Sequence, residues 1–299
     1  LAHAFTLISS TRSRLAITTL LTNLLRVIRR HDAPSLLSTV YLISNHIAPA
    51  YDSVELGLGG SIVNKAILDV TGISRARMRT LWNQTGDPGD VAFEAKKNMT
   101  TLVQVAPITV QRLFKTLHVI AGIKGTGSSA AKMGHVTKLL VASRGEETRF
   151  LVRTFISHLR IQAVKTTIAT ALARAFALVE KDRAPVSSAK ESNYLVMPQE
   201  RVGLLATPSK ASERAKPERQ ALMSRLTLAE KLVRQVRARH PNFSVIVPAL
   251  LDVGLDGLSE RVPLKVGTPI SPMLGSITRS LDDMHAKLGE RAFVSEFKY

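Results

Sequence analysis

The sequence contains no cysteine, few aromatic residues and no long apolar run. The absence of cysteine excludes a disulfide scaffold, a thiolate zinc site, an iron–sulfur cluster and a cysteine nucleophile. No apolar run approaches the roughly 20 residues that a membrane-spanning helix needs. The histidines form no HxxxH or HExxH pair, and no Gly-x-Ser-x-Gly elbow occurs. The sequence therefore predicts neither a histidine metal site nor that type of serine hydrolase.

Acidic residues are scarce relative to basic ones. The 299 residues include 41 Lys and Arg but only 23 Asp and Glu, which gives a net charge of +18. Such an excess predicts a polyanionic partner, either nucleic acid or an anionic membrane surface. Aromatic residues make up only 5%, which disfavours base stacking on single strands and favours contact with a duplex backbone. The alternative is that the basic residues lie on the solvated faces of amphipathic helices.

Apolar residues recur at helical spacing along most of the chain, which predicts an all-α fold. The predicted helices cover 15–28, 35–46, 61–70, 74–84, 110–121, 129–142, 146–160, 163–181, 222–240 and 280–288. The segment 86–89 predicts a turn, and 244–247 is short and ambiguous between strand and helix. Prolines and serines over 183–217 predict a long, mobile surface insertion. The alternating run 292–299 predicts a strand that begins a mixed α/β domain.

One glycine-containing turn carries the pattern of an anion site. It reads Lys124-Gly125-Thr126-Gly127-Ser128-Ser129-Ala130-Ala131-Lys132. The two glycines allow the backbone to approach a ligand closely, and Ser128 or Ser129 is predicted to cap the next helix. Free N–H groups and Lys132, one turn further, would then face a phosphate. An ordinary capped turn is an equally good interpretation, and the Gly-Lys-Ser/Thr ending of a Walker A loop is absent. The segment 159–162, which contains Arg160, offers a similar but less specific contact.

A series of short motifs occurs in a recognisable order. They are Arg14-Leu15 with Leu24-Leu25-Arg26, Tyr41-Leu42 with Asn45 to Pro49, Glu55 to Gly59, Lys65-Ala66, Gly86 to Ala92, Gly125 to Lys132, Val141 to Arg144 with Glu147 to Phe150, Gly267 to Leu274, and Glu296-Phe297-Lys298-Tyr299. In this order they resemble the eukaryotic replicative ATP-dependent DNA ligases, the DNA ligase I family. Each motif is weak alone, and the shared order over nearly the whole chain gives the resemblance its weight. Gln162 stands where that family usually has glycine.

The resemblance implies two parts of a DNA ligase. Residues 1–258 would form an all-helical DNA-binding domain that includes the 183–217 insertion. Residues 259–299 would be the N-terminal, truncated α/β start of the ATP-dependent adenylation domain. The chain begins at Leu1 rather than Met and stops one residue after Lys298, which predicts a fragment of a longer protein that does not take up AMP alone.

The resemblance also implies a mechanism and its residues. The lysine that matches Lys298 attacks the α-phosphate of ATP and carries AMP as a phosphoramidate, with Glu296 in the nucleotide site. AMP then passes to the 5′-phosphate of a nick, and the 3′-hydroxyl displaces it with the help of Mg²⁺. The helical domain would grip the minor groove and the phosphate backbone of nicked double-stranded DNA without reading sequence. The expected DNA contacts are Arg14, Gly125, Gly127, Ser128, Ser129, Lys132, Arg160 and Lys165.

The resemblance further implies a monomer that acts in DNA replication, repair and recombination, with no membrane partner, in the nucleus or, as an open alternative, in an organelle. Two other hypotheses remain open. In the first, the chain is a non-catalytic helical nucleic-acid-binding protein and Lys298 is incidental. In the second, it is an RNA-capping guanylyltransferase, which shares the Lys-x-Asp-Gly chemistry. The capping enzyme ranks last because it should lack a long basic helical domain before the lysine.

Overall fold

The computed structural model describes residues 1–97, 106–178, 217–270 and 280–296. Within these ranges the chain forms fourteen α-helices and no strand. The helices are α1 (Ala2–Ser9), α2 (Arg14–His31), α3 (Leu36–Ser44), α4 (Gly60–Thr71), α5 (Arg75–Thr85), α6 (Pro88–Lys96), α7 (Val110–Gly122), α8 (Ser128–Ala142), α9 (Glu146–Phe155), α10 (Lys165–Ala177), α11 (Pro217–Arg239), α12 (Phe243–Val253), α13 (Leu258–Arg261) and α14 (Leu281–Leu288). Short 3₁₀ turns lie at Ala33–Ser35 and Ala50–Asp52.

Two hydrophobic cores organise the helices. The first core lies between α1, α2, α3, α10, α11 and α12, with Leu25 fully buried inside it. The second lies mainly between α4, α7, α8 and α9, with Leu117 fully buried. Helix α3 contributes to both, because Tyr41 packs into the first core and its neighbour Leu42 into the second. Such a helix must be apolar on more than one side, which explains the nearly continuous apolar run of α3.

The helical core ends close to the division predicted from sequence. Leu258 and Val262 are both buried in the first core. Among the described residues after Val262, none is buried, and α14 buries no side chain. The division into a DNA-binding domain over 1–258 and an adenylation fragment over 259–299 stays a prediction.

Most of the predicted helices are confirmed, and the ambiguous segment 244–247 lies inside α12. The side chain of Asn242 explains that outcome, because its Oδ1 accepts a hydrogen bond from Ser244 N at 2.7 Å and caps the new helix. The all-α expectation is therefore confirmed for the part of the chain that the structure describes.

Three local predictions are wrong. The helix predicted over 146–160 ends at Phe155, because Ser157 adopts a left-handed conformation (φ 58°) and His158 N donates to Arg153 O, which closes the helix. The turn predicted over 86–89 is shorter, since Pro88 and its neighbour already belong to α6. The predicted strand is absent over 292–296, where the described residues supply no partner strand.

Several predictions fall on residues that the structure does not describe. The insertion predicted over 183–217 lies outside the described residues up to position 216. The same is true of the motif residues 271–274 and of Phe297, Lys298 and Tyr299.

Candidate nucleic-acid interface

The turn before α8 is built on two left-handed glycines. Gly125 and Gly127 have φ values of 84° and 80°, which side-chain-bearing residues rarely adopt. The predicted cap by Ser128 or Ser129 is wrong: the cap position is Gly127, and no side chain caps the helix. Residues 124–127 and Ser129 are exposed. Ser128 N donates to Gly125 O at 3.2 Å, so the start of α8 leaves the backbone amides of Ser129 and Ala130 without a cap, an arrangement that suits an anion.

Lys132 has partners inside the protein. Its Nζ donates to Leu56 O at 2.6 Å and to Gly57 O at 3.3 Å, and the residue is buried. Gly57 is left-handed (φ 57°), and a Cβ at that position would lie 2.8 Å from the Lys132 ammonium. Lys132 thus fastens α8 to the turn before α4. This structural role is observed, whereas a contact between Lys132 and DNA phosphate stays a prediction.

The segment 156–164, between α9 and α10, alternates buried and exposed residues. Leu159 and Ile161 are buried in the first core, while Arg160 and Gln162 are exposed. Arg160, Gln162 and Ser157 are all left-handed, with φ values of 57°, 53° and 58°. Each such residue costs about 1–2 kcal/mol, so the conformation must be imposed by tertiary contacts. The backbone of this segment is consequently fixed by its surroundings rather than by local preference.

One of those tertiary contacts is a buried carboxylate. The Asp87 side chain is only 1% exposed, and its Oδ1 lies 3.0 Å from Arg153 Nε. Its Oδ2 lies 3.1 Å from Arg160 Nε, in an ionic contact whose geometry is too oblique for a hydrogen bond. Oδ1 also accepts from Asp90 N at 2.9 Å and so caps α6. Asp87 thereby joins the start of α6 to α9 and to the segment 156–164.

Further ion pairs extend this junction along α6 and α9. Arg149 Nε lies 2.5 Å from Asp90 Oδ1, and Arg153 Nη2 lies 3.2 Å from Asp90 Oδ2. We call Asp87, Asp90, Arg149, Arg153 and Arg160 the α6–α9 seam. Two of the arginines counted as basic surface in the sequence, Arg149 and Arg153, are thus neutralised within the protein. Sequence reasoning missed both aspartates, although their place before and within the first turn of a helix was a signal.

The remaining predicted contacts lie on other elements. Arg14 is the first residue of α2 and is exposed, directly after the capping Ser13. Lys165 is the first residue of α10 and is also exposed. The structure therefore distributes the predicted DNA contacts over the starts of α2, α8 and α10 and the segment 156–164. Glu296 is exposed, and Lys298 lies outside the described residues.

Lys165 also borders a cavity of about 220 Å³. His46, after α3, and Arg237, in the last turn of α11, line the same cavity. Burial, and secondarily the charge of Lys165, lowers the pKa of His46 below its ordinary value. Burial lowers the pKa of the Arg237 guanidinium as well. We call these three side chains with their surrounding walls the 46/165/237 cavity.

The described ranges contain neither a metal-binding cluster nor a membrane-spanning helix. No group of three or more His, Asp or Glu residues is arranged to hold a metal ion. No described helix is both long enough and apolar enough to cross a membrane.

Comparison with known proteins identifies the family. A family model described as DNA ligase N terminus matches residues 1–173. DNA ligase 3 of Schizosaccharomyces pombe is 35% identical over 299 residues, which are all of this chain and 35% of that protein. DNA ligase 1 of the same organism is 30% identical over the whole chain, again covering 35% of the relative. DNA ligase 1 of Dictyostelium discoideum is 30% identical over 300 aligned residues, 23% of its length.

These matches cover the whole chain but only part of each relative. The chain spans about a third of the length of the two yeast ligases and about a quarter of the amoebal one. The family match includes the turn before α8, the α6–α9 seam and the start of α10. The chain belongs to the DNA ligase N-terminal family.

Proposed function

We propose that this chain is the duplex-binding portion of an ATP-dependent DNA ligase that seals nicks between a 5′-phosphate and a 3′-hydroxyl. The observation that carries the proposal is the uncapped, glycine-built turn before α8 in a chain of net charge +18 that belongs to a ligase family. Backbone amides and cations at helix starts contact phosphates without selecting bases, so binding is expected to be independent of sequence.

The proposal assigns roles to named residues. Gly125, Gly127, Ser128 and Ser129 would bring backbone amides to a phosphate at the start of α8. Arg14, Arg160, Lys165 and, if its ammonium is released, Lys132 would add positive charge along the same duplex. Arg160 is half exposed and is held on its inner side by Asp87, which leaves its outer side for a phosphate. The minor groove is the proposed docking surface on the DNA.

The catalytic part of the proposal concerns residues near the end of the chain. We propose that Lys298 is the nucleophile that takes AMP from ATP and that Glu296 belongs to the nucleotide site of an adenylation domain beginning near residue 259. Mg²⁺ would supply charge neutralisation at the phosphates. The protein would act as a nuclear monomer in replication, repair and recombination. The alternative is a helical DNA-binding module without catalysis.

Binding of nicked duplex tests the first part. If about six phosphates are contacted, log K should fall with log salt with a slope near −5. Two nicked duplexes of unrelated sequence should bind equally within error. A slope near zero, or a strong preference for one sequence, contradicts the proposal.

The turn before α8 offers a sharper test, since stability and binding should move in opposite directions. Ser129→Glu places a carboxylate in the first turn of α8, where the helix dipole should stabilise the fold by about 0.5 kcal/mol. The same charge should repel phosphate and weaken duplex binding about tenfold, equivalent to about 1.4 kcal/mol.

Ala76→Glu is the matched control. Ala76 is exposed and occupies the second position of α5, as Ser129 does in α8. It should give a similar gain in stability with little loss of binding. Equal losses of affinity in the two variants would show that the turn before α8 is not at the interface.

The catalytic part has its own experiment. The longer protein that contains this chain should acquire label from α-radiolabelled ATP in the presence of Mg²⁺, and Lys298→Ala should abolish labelling while leaving duplex binding unchanged. Labelling that persists in Lys298→Ala would reject Lys298 as the nucleophile. Absence of labelling in the parent protein would favour the non-catalytic alternative.

A further inference from the structure

The 46/165/237 cavity brings together basic side chains from three separate places in the chain. His46 follows α3, Lys165 begins α10, and Arg237 lies in the last turn of α11. Aromatic residues form much of the remaining wall: Tyr41, Tyr51 and Phe243. None of the lining residues is an aspartate or a glutamate. The cavity is therefore a partly enclosed space whose ionisable groups are cationic or phenolic.

Among the described residues, the partly buried Arg237 makes neither a hydrogen bond nor an ion pair, whereas Arg26 and Arg239 donate to neutral oxygens. Arg174 Nε lies 2.7 Å from Glu230 Oε1, and Arg234 Nη2 lies 2.9 Å from Glu230 Oε2. Arg237 is on the same helix as Glu230, but among the described residues it makes no ion pair. Its guanidinium carbon lies 5.8 Å from the centre of the Phe243 ring. A partly desolvated charge without a counter-charge is unfavourable unless a ligand supplies one.

The start of α10, at the wall of the cavity, also lacks negative charge. No side chain caps this helix, and its first turn contains no acidic residue. Lys165 is its first residue, at the end of the dipole that attracts anions. The charge of Lys165 also disfavours protonation of the neighbouring His46. An anion in the cavity would supply the negative charge that the start of α10 and Lys165 both lack.

We propose that the 46/165/237 cavity binds a phosphate group, with Arg237 and Lys165 as its charged ligands and His46 as a third donor. Phosphate fits this site because a guanidinium and an ammonium supply several donors toward its oxygens. The phosphate would come from the DNA backbone, because Lys165 also faces the proposed interface. This choice of source rests on the proposed function, whereas the site itself does not. A free phosphate-bearing ligand is the other source that the experiment distinguishes.

The first arm of the experiment uses inorganic phosphate and the His46 imidazole as reporter. The pKa of His46 is measured by NMR in phosphate and in chloride at equal ionic strength. Bound phosphate should raise this pKa, because a nearby anion favours the protonated imidazole. The rise should disappear in Arg237→Gln and persist in Arg225→Gln, which removes an exposed arginine from the same helix. Arg237→Lys keeps the charge and should retain part of the rise.

The second arm uses nicked duplex DNA. If a backbone phosphate occupies the cavity, Arg237→Gln should weaken duplex binding about tenfold and reduce the salt slope by roughly 1. Arg225→Gln should change affinity much less. Thermal unfolding checks that each variant is folded. If Arg237→Gln is not folded, Arg237→Lys takes its place in the binding experiment.

The outcomes separate the site from its source. A phosphate response that requires Arg237, together with the loss of duplex affinity, supports the site and the DNA source. The phosphate response without any duplex effect supports the site and a free phosphate ligand. No response to either probe, or equal effects of Arg237→Gln and Arg225→Gln, overturns the proposal. Failure of the parent protein to bind nicked duplex would reject the proposed function and leave the phosphate arm intact.

Discussion

The α6–α9 seam and the 46/165/237 cavity use basic residues in opposite ways. In the seam, Arg153 and Arg149 face Asp87 and Asp90 at ion-pair distances of 2.5–3.2 Å. In the cavity, Arg237 and Lys165 make no ion pair with any described carboxylate, and the charge of Asp52, which follows the lining residue Tyr51, acts on Tyr41. The first arrangement is complete within the protein, and the second lacks a counter-charge. A basic residue therefore indicates a binding surface only where the fold places no acidic side chain within ion-pair distance of it.

The same contrast means that the net charge overstates the number of basic side chains that are available to a polyanion. Lys96, Lys132, Arg149 and Arg153 all donate to oxygens of the protein itself. The Lys96 ammonium donates hydrogen bonds to backbone carbonyls at the end of α8. Burial lowers the pKa of Lys96, and the charge of Glu147 opposes this shift. These residues contribute to the charge of the chain, while their hydrogen-bonding capacity is used to join helices.

The largest expected effect comes from breaking the seam. Asp87→Asn removes the buried carboxylate charge that lies 3.0 Å from Arg153, whose side chain is 9% exposed, and leaves only the more exposed Asp90, at 3.2 Å, as its ionic partner. We expect the free energy of unfolding to fall by about 3 kcal/mol, measured by urea denaturation. Arg160 adds little to this figure because its side chain is 51% exposed.

Asp252→Asn is the control for the seam variant. Asp252 lies 3.4 Å from Arg261, and both side chains are 62% exposed, so the change should be close to zero. Similar losses in the two variants would mean that burial does not distinguish the seam from an ordinary surface pair.

The next largest effect concerns Lys132, which the sequence assigned to DNA and the fold also uses internally. Lys132→Met should lower the free energy of unfolding by about 1–2 kcal/mol, because the carbonyls of Leu56 and Gly57 lose their donor. Lys138→Met, an exposed position on the same helix, should leave stability unchanged. If Lys132→Met instead weakens duplex binding without altering thermal unfolding, its main partner is phosphate.

A smaller effect is expected from the protonation of His46 in the cavity. The folded-state pKa of His46 is lowered by burial and by Lys165, so it lies below the unfolded value of about 6.5. Protonation therefore favours the unfolded state: the contribution to stability is present above the unfolded pKa and is lost as the pH falls through the folded pKa. The other ionisable groups at this site are Arg237, Tyr41 and Tyr51, with Asp52 beside Tyr51.

The measurement is the difference in unfolding free energy between pH 7.5 and pH 5, a range that starts above the unfolded histidine pKa of about 6.5 and extends below it. His46→Gln should reduce this difference, and His285→Gln, at an exposed position, should not. An unchanged difference in His46→Gln would show that the pH dependence arises elsewhere.

The smallest effect is expected at Gln162, in the strained segment beside the seam. Its φ of 53° favours glycine, so Gln162→Gly should stabilise the fold by about 0.5 kcal/mol, after the entropy lost by the unfolded glycine is counted. Thermal unfolding measures this shift. A Gln162→Ala variant keeps the left-handed strain and should show no gain; a gain in both variants would mean that the glutamine side chain, not the backbone, was unfavourable.

The sequence by itself determined the helical architecture over most of the described chain. Apolar residues at a spacing near 3.6 must bury one stripe, so α2, α7 and α10 were predictable from local pattern alone. The turn before α8 was also visible, because two glycines interrupt two helical patterns. The order of the motifs led to the ligase family, and the family match over 1–173 supports that identification.

Only the tertiary structure decided how each charged residue is used. Asp87 and Arg153 are far apart in sequence, and the packing of α6 on α9 brings their charged atoms to 3.0 Å. Likewise, packing of the segment after α3 near α10 and α11 places His46, Lys165 and Arg237 around one cavity whose lining includes no aspartate or glutamate. Helix formation depends on residues that are near each other in sequence, so the local pattern of apolar residues predicts it. Neutralisation of a charge depends on which distant side chain the packing brings within about 4 Å, and no local pattern encodes it.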